Sequence, residues 1–247
     1  MNLLLLEEGD LLPDGTVLLL GRRAEHVREV LRATVGDRFA VGRLGGALGE
    51  GEVLALNEDR LLLRVHLATP PPPPSAVALL LALPRPKILR KVLQSTAAMG
   101  VKRLVLLGSY RVEKSYFASP LLEPASLERE LRLGLEQGRD TLLPEILVRR
   151  FFKPFVEDEL DQLFPAHRRL LAHPAAPGRL EALPLSREPG ALVAVGPEGG
   201  WTRYEAEQLE ARGFAPFSLG PRPLRVDAAV PYVVGQVELW MRSAKCG

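Results

Sequence analysis

An α/β domain built on a parallel sheet, preceded by a small β-rich domain, is the fold class the sequence predicts. Three observations predict it. Residues 1–69 read as short strands separated by turn residues. Thr69 is followed by five consecutive prolines, Pro70 to Pro74. From Ser75 onward, continuous apolar runs alternate with stretches at helical spacing, the pattern of strand–helix–strand units. The expected domains are therefore 1–69, a linker at 70–74, and 75–247, which a chain of 247 residues accommodates.

Each element of the first domain has its own signal. The opening Met1-Asn2-Leu3-Leu4-Leu5-Leu6 is followed by Glu7 and Glu8. It lacks the charged leader and long apolar core of a signal peptide, so it reads as a first strand. Gly9-Asp10, Pro13-Asp14-Gly15 and Gly45-Gly46 mark turns at the spacing of a small barrel or sandwich. Strands are expected at 17–20, 38–41, 51–54 and 60–65. A helix is expected over 24–33, where Val27, Val30 and Leu31 recur at helical spacing, before Gly36-Asp37 turns the chain. The proline run favours polyproline II, a semi-rigid spacer of about 3 Å per residue.

In the second domain, residues 77–83 are continuously apolar, as a strand buried on both faces requires. Pro84-Arg85-Pro86 ends that strand. A helix over 88–99 follows, with Ile88, Val92, Leu93 and Thr96 on one face and Gly100 past its end. Strands are predicted at 104–107, 146–150, 169–172 and 191–195, and helices at 126–138 and 155–164. Thr202 and Glu205 form a capping box, and Gly213 closes the helix they begin. A strand is expected at 214–219. The last helix is expected over 228–243, capped by Asp227, with Pro231 in its first turn.

Two loops stand out as a candidate site. Gly196-Pro197-Glu198-Gly199-Gly200 follows one buried strand, and Leu219-Gly220-Pro221-Arg222-Pro223-Leu224-Arg225 follows the next. In open α/β sheets ligands bind at the carboxyl ends of strands. Glycine there lets backbone come close to a ligand, because no Cβ intervenes. The loop 108–117 sits in the same kind of position, with Arg111 and Lys114 among Tyr110, Tyr116 and Phe117. Its aromatics offer stacking faces for bases and its cations suit phosphates; the same aromatics can equally pack on the sheet.

Composition excludes several function classes. No apolar run approaches the ~20 residues needed to cross a bilayer. Cys246 is the only cysteine, so no intramolecular disulfide or cysteine zinc site is possible, which fits a reducing compartment. His26, His66, His167 and His173 lack metal-ligand spacing, and no metal is expected. Net charge is only +2. The basic residues are nevertheless mostly arginine, often clustered, as at Arg22-Arg23, Lys102-Arg103, Arg149-Arg150 and Arg168-Arg169. That suits bidentate phosphate binding, and it is also what a GC-rich genome produces. The Gly-Lys-Ser/Thr phosphate loop, the GxGxxG dinucleotide motif and the Gly-x-Ser-x-Gly elbow are all missing.

The paired loops resemble the signature of the RsmE family, SPOUT-class enzymes that methylate N3 of a uridine in small-subunit ribosomal RNA. His26 to Arg32 with Val35-Gly36-Asp37 resembles the family's N-terminal segment. Thr96 to Val101, and Glu136-Gln137 with Arg139 and Pro144, resemble its weaker central motifs. The resemblance implies a PUA-like β-barrel and a SPOUT domain, a parallel sheet with helices on both faces and a C-terminal trefoil knot. It also implies S-adenosylmethionine as cofactor, held at His173, Gly196, Glu198, Gly199, Leu219, Gly220 and Leu224. The implied partners are ribosomal RNA or the small ribosomal subunit and a second copy in a homodimer, with neither membrane nor DNA; the implied location is cytoplasmic.

The resemblance assigns the chemistry by position. N3 of uridine is a weak nucleophile until its proton leaves, so Arg222 and Arg225 are expected to stabilise the uracil oxygen or a flanking phosphate. Asp227 is a candidate proton acceptor as well as a candidate helix cap. RNA contacts are expected from Arg22, Arg23, Arg111 and Lys114. The family usually reads Ile-Leu-Arg-Thr-Glu-Thr-Ala where this chain reads Pro223-Leu224-Arg225-Val226-Asp227-Ala228-Ala229. Ala98 stands where a glutamate is common, and no serine follows Gln137. The chain is thus a divergent branch. The alternatives are a SPOUT enzyme acting on another RNA nucleotide, or a binding protein that keeps the fold without catalysis.

Overall fold

A computed structural model describes residues 2–29, 32–185 and 188–245. The chain divides into two compact units: Met1–Pro73 with Arg132–Leu143, and Pro74–Leu131 with Pro144–Gly247.

The first unit is a five-stranded sheet ordered β1-β3-β4-β5-β2, formed by β1 (Leu4–Leu6), β2 (Thr16–Leu20), β3 (Arg38–Arg43), β4 (Leu48–Leu56) and β5 (Arg60–Thr69). Strand alternation builds its core. Val17 and Leu19 of β2 and Leu61 and Leu63 of β5 are buried, while Arg60 and Arg64, on either side of the β5 pair, face water. Helix α1 (Arg22–Glu29) adds buried Ala24 and Val27 to the same cluster. Val30 and Leu31, which the sequence reading also placed on this helix, lie outside the described residues. Gly49 sits at a register shift between β4 and β5, where a Cβ would stand 1.8 Å from the His66 carbonyl oxygen.

The segment 132–143 belongs to this unit, although the sequence reading assigned it to the second domain. Its ties explain the difference. Arg132 meets Glu7 at 2.5 Å, the Asn2 amide donates to the Gln137 carbonyl, and the Thr141 hydroxyl donates to the Gly46 carbonyl at 2.6 Å. None of these pairings has a local sequence signal.

The second unit is a six-stranded, all-parallel sheet ordered β11-β9-β10-β6-β7-β8. Its strands are β6 (Val77–Ala82), β7 (Arg103–Leu107), β8 (Glu145–Arg149), β9 (His167–Ala172), β10 (Gly190–Val195) and β11 (Ala215–Phe217). Every residue of β6 and β10 is buried, so both faces of the sheet are covered, as an all-parallel sheet requires. Helix α2 (Pro86–Ala98) packs on the final helix, which in turn packs on β6 and β10. Helix α3 (Pro124–Gly138) ends at Arg139, which takes a positive φ of 54°.

The acidic segment expected as one helix over 155–164 is instead composite. Helix α4 (Phe152–Pro154) leads into a π-helical turn (Phe155–Glu159) and then α5 (Leu160–Leu163), with the Leu160 N–H donating to the Phe155 carbonyl. The wider turn keeps Phe155, Val156 and Leu160 buried together.

Helix α6 (Arg203–Ala211) has the expected capping box at Thr202 and Glu205, and Gly213 behind it takes φ 82°. Helix α7 (Val226–Lys245) begins earlier than expected. The Arg225 carbonyl accepts the N–H groups of Ala228 and Ala229, so Asp227 lies inside the first turn and is not the cap. Pro231 consequently falls beyond that first turn.

Candidate functional site

Strand order positions the site. From β6 the chain runs outward through β7 and β8, then returns to the other side of β6 as β9, β10 and β11. Such a reversal leaves a crevice at the carboxyl ends of the central strands. Here Leu81, Val195, Ala172 and Phe217 are register partners across β6, β10, β9 and β11, so the four strands end level. A cavity of about 700 Å³ opens there, within the range of small-molecule and cofactor sites.

Both glycine-bearing loops line it. Gly196 and Glu198 come from the first, Leu219, Gly220, Arg222, Leu224 and Arg225 from the second, and His173 from the end of β9. Gly220 takes φ 122°, a conformation closed to most other residues. A Cβ on Gly196 would stand 3.1–3.2 Å from the backbone and ring of Trp201, so glycine keeps that wall thin. His173 is fixed through its own backbone: its N–H donates to the Phe217 carbonyl and its Nδ1 accepts the Ala175 N–H. Gly199 is the exception, since it does not line the cavity; its carbonyl accepts a hydrogen bond from Arg111.

The sequence reading missed one wall. Arg85, Lys87, Ile88 and Lys91, from the loop after β6 and the start of α2, also line the cavity. Pro84-Arg85-Pro86 at the end of a fully buried strand was the signal that could have found them. The Glu198 carboxylate accepts from the Arg85 backbone and side chain, each at 3.4 Å.

Charges in the second loop are divided by role. Arg222 lines the cavity with no hydrogen bond or ion pair to any described residue. Asp227 is occupied: its Oδ2 accepts from Lys91 at 3.0 Å and its Oδ1 lies 3.6 Å from Arg225. The hydrogen bond from Lys91 holds the Asp227 carboxyl below its ordinary range, and the charge of Arg225 adds to that. A carboxylate stabilised in this way is a poor proton acceptor. It organises the two cations beside it.

These features meet a family comparison. A family model described as RNA methyltransferase domain matches residues 71–238. The chain belongs to this family. Among curated relatives, a ribosomal RNA small subunit methyltransferase E of Treponema pallidum is 28% identical, covering 98% of this chain and 94% of its own. One from Synechocystis sp. is 29% identical, covering 93% of this chain and 75% of its own. Among solved structures, a ribosomal RNA small subunit methyltransferase E from Neisseria gonorrhoeae bound to S-adenosyl methionine shares the fold. It has a TM-score of 0.74 at 22% identity and covers 97% of each chain.

The residues expected to meet RNA fare differently in this member of the family. Arg23 is engaged in a bidentate pair with buried Asp10, at 2.5 and 2.7 Å, so it holds the first unit together. The side chain of Arg22 lies outside the described residues. Arg111 braces Gly199, and Lys114 is exposed in a 3-10 turn (Lys114–Ala118). Several clustered arginines are also committed: Arg103 to Glu145, Arg149 to Glu159 and Arg169 to Asp161. Among the described residues no group of three or more metal-ligating side chains is assembled, and no helix is long and apolar enough to cross a membrane.

Proposed function

We propose that the protein is an S-adenosylmethionine-dependent methyltransferase that modifies N3 of a uridine in small-subunit ribosomal RNA. The observation that carries this reading is the cavity at the level ends of β6, β9, β10 and β11, walled by both glycine-bearing loops. Its donor set fits the cofactor. Ile88, Leu219 and Leu224 offer apolar walls for an adenine, and the turns at Gly196 and Gly220 bring backbone close to it. His173 and Glu198 complete the expected cofactor contacts, while Gly199 acts through Arg111. The cofactor supplies an electrophilic methyl group.

The protein's own part is to place the uracil and stabilise the charge that develops as its N3 proton leaves. Arg222 and Lys87 both line the cavity without a partner among the described residues, and we assign the stabilising role to Arg222, which stands in the second loop. Arg225 is tied to Asp227, which leaves it suited to a flanking phosphate. Asp227 acts by positioning Lys91 and Arg225.

The finer architecture belongs to the same reading. Residues 1–69, joined by the segment 132–143, are a PUA-like RNA-binding domain, 70–74 a linker, and the rest of 75–247 a SPOUT domain whose C-terminal segment forms a trefoil knot. The reversed strand order and the meeting of the two loops at one cavity support the knot. Leu224, Tyr232 and Leu239 leave large apolar side chains exposed at and along α7, which supports a homodimer through that face. The enzyme works in the cytoplasm, where ribosomes are assembled.

Nucleoside mass spectrometry tests the reading, after purified protein and S-adenosylmethionine are incubated with undermodified small subunits. N3-methyluridine is the expected product. A different methylated nucleoside would move the enzyme to another RNA target, and cofactor binding without any product would leave an RNA-binding protein on this fold.

A further inference from the structure

A second cavity, of about 610 Å³, opens at the carboxyl ends of β7 and β8 and shares no lining residue with the first. Its rim carries three large aromatic side chains in contact with water: Tyr110 is 86% exposed, Phe151 72% and Tyr204 50%. Two cations stand among them. Arg150 is held over the ring of Phe117 at 5.7 Å, and Lys153 is exposed, with Glu157 one turn on at 3.8 Å as a loose, solvent-screened partner. The one carboxylate in the wall, Glu205, is buried and spent on the N–H groups of Tyr110 and Thr202. Ser109 also lines the cavity, and its Oγ is buried without a hydrogen-bond partner among the described residues.

The cavity also adjoins the cofactor site. Trp201 lines the first cavity and packs on Phe152 of the second, with ring centroids 5.9 Å apart. One loop, 196–202, therefore separates the two.

We propose that this second cavity binds an unpaired nucleotide of the RNA strand, adjacent to the nucleotide presented at the cofactor site. The base stacks on Phe151 and Tyr204, and Arg150 and Lys153 take the phosphate. Exposed rings with cations beside them and no free carboxylate in the wall suit a nucleotide's base and phosphate. The inference rests on the RNA methyltransferase reading.

The test uses full-length protein carrying Phe151→Ala, Tyr204→Ala or Tyr204→Phe. Four quantities are read: affinity for undermodified small-subunit RNA in the presence of S-adenosylhomocysteine, KM and kcat for methyl transfer, cofactor affinity, and sedimentation. Both residues are exposed and Tyr204 lies on a helix, so alanine is tolerated at each. Each alanine variant is expected to weaken RNA binding and raise KM about tenfold, as losing one stacking face does. The kcat, cofactor affinity and sedimentation stay unchanged, and Tyr204→Phe restores binding. RNA substituted with 5-iodouridine is expected to photocrosslink to Tyr110, Phe151 or Tyr204.

Undiminished RNA affinity in both alanine variants would overturn the proposal. So would a fall in sedimentation coefficient, which would make this face a contact between copies. If the unaltered protein binds RNA and transfers no methyl group, the enzymatic reading fails while the binding comparison still decides the cavity. If it binds no RNA, both fall.

Discussion

Glu205 accepts the backbone N–H of Tyr110 at 2.8 Å through one carboxylate oxygen while its other oxygen accepts both donors of Thr202, at 2.8 and 2.9 Å. One buried side chain thus caps α6, ends the loop that walls the first cavity and fastens the loop that leaves β7. Glu205→Ala leaves these donors unpaired in a buried place, at a cost of about 1–3 kcal/mol. Chemical denaturation is expected to show that loss, and a cofactor titration a parallel drop in affinity. Glu205→Gln keeps acceptor capacity on one side and should fall between. Equal stability of all three proteins would break the link.

Gly196 and Gly199 look alike in sequence and differ in space. A methyl at Gly196 meets the Trp201 backbone nitrogen and ring at 3.1–3.2 Å, whereas one at Gly199 meets only the flexible Arg111 chain. Gly196→Ala is expected to lower cofactor affinity strongly and Gly199→Ala only slightly, as measured by calorimetry. The reverse order would remove the loop from the cavity wall.

Arg222→Ala should leave stability unchanged, because the side chain is exposed and pairs with nothing described. Turnover at saturating RNA is expected to fall about 10²- to 10³-fold, the effect of deleting a donor to developing negative charge. Full turnover in that variant would take Arg222 out of the chemistry.

Gly49 and Gly108 are required by packing alone. Added Cβ atoms would stand 1.8 Å from the His66 carbonyl oxygen and 2.1 Å from that of Arg150. Backbone cannot yield cheaply, so each alanine variant should lose about 2 kcal/mol or more, the scale of forced overpacking. Wild-type denaturation midpoints in both would contradict these contacts.

His167 sets a pH dependence. Burial is the main cause that lowers its pKa from 6.5, and the charges of Arg103 and Arg169 add to it. The folded state then binds a proton less readily than the unfolded chain. Stability is therefore full above about pH 6.5 and declines as pH falls through the lower folded value. Replacing His167 with glutamine should flatten that acid limb in a series of melting curves.

Local signals made much of this fold legible. Residues 77–82 and 190–195 are apolar without interruption because both faces of the sheet are covered, and that reads directly from sequence. The Thr202–Glu205 box and the glycines at 100 and 213 are likewise local requirements, met by positive φ values of 77° and 82° at those glycines. What stayed hidden depends on distant partners. Arg23 is tied to Asp10, Asp227 to Lys91, and the turn at Thr141 to Gly46. The wall from Arg85 to Lys91 joins the site only because β6 lies beside β10.

That adjacency also governs how the chain matures. Val77 pairs with Ala191 and Leu81 with Val195, so the central strand waits for a neighbour roughly 110 residues downstream. During synthesis β6 and β7 leave the ribosome with their apolar faces uncovered, and β10 reaches them only after roughly another hundred residues have been made. Parallel pairing over such a span is slow, and the waiting strands are prone to aggregate. Assembly of the first cavity thus follows β10, and a chain truncated before that strand would lack the central strand pair as well as the cavity.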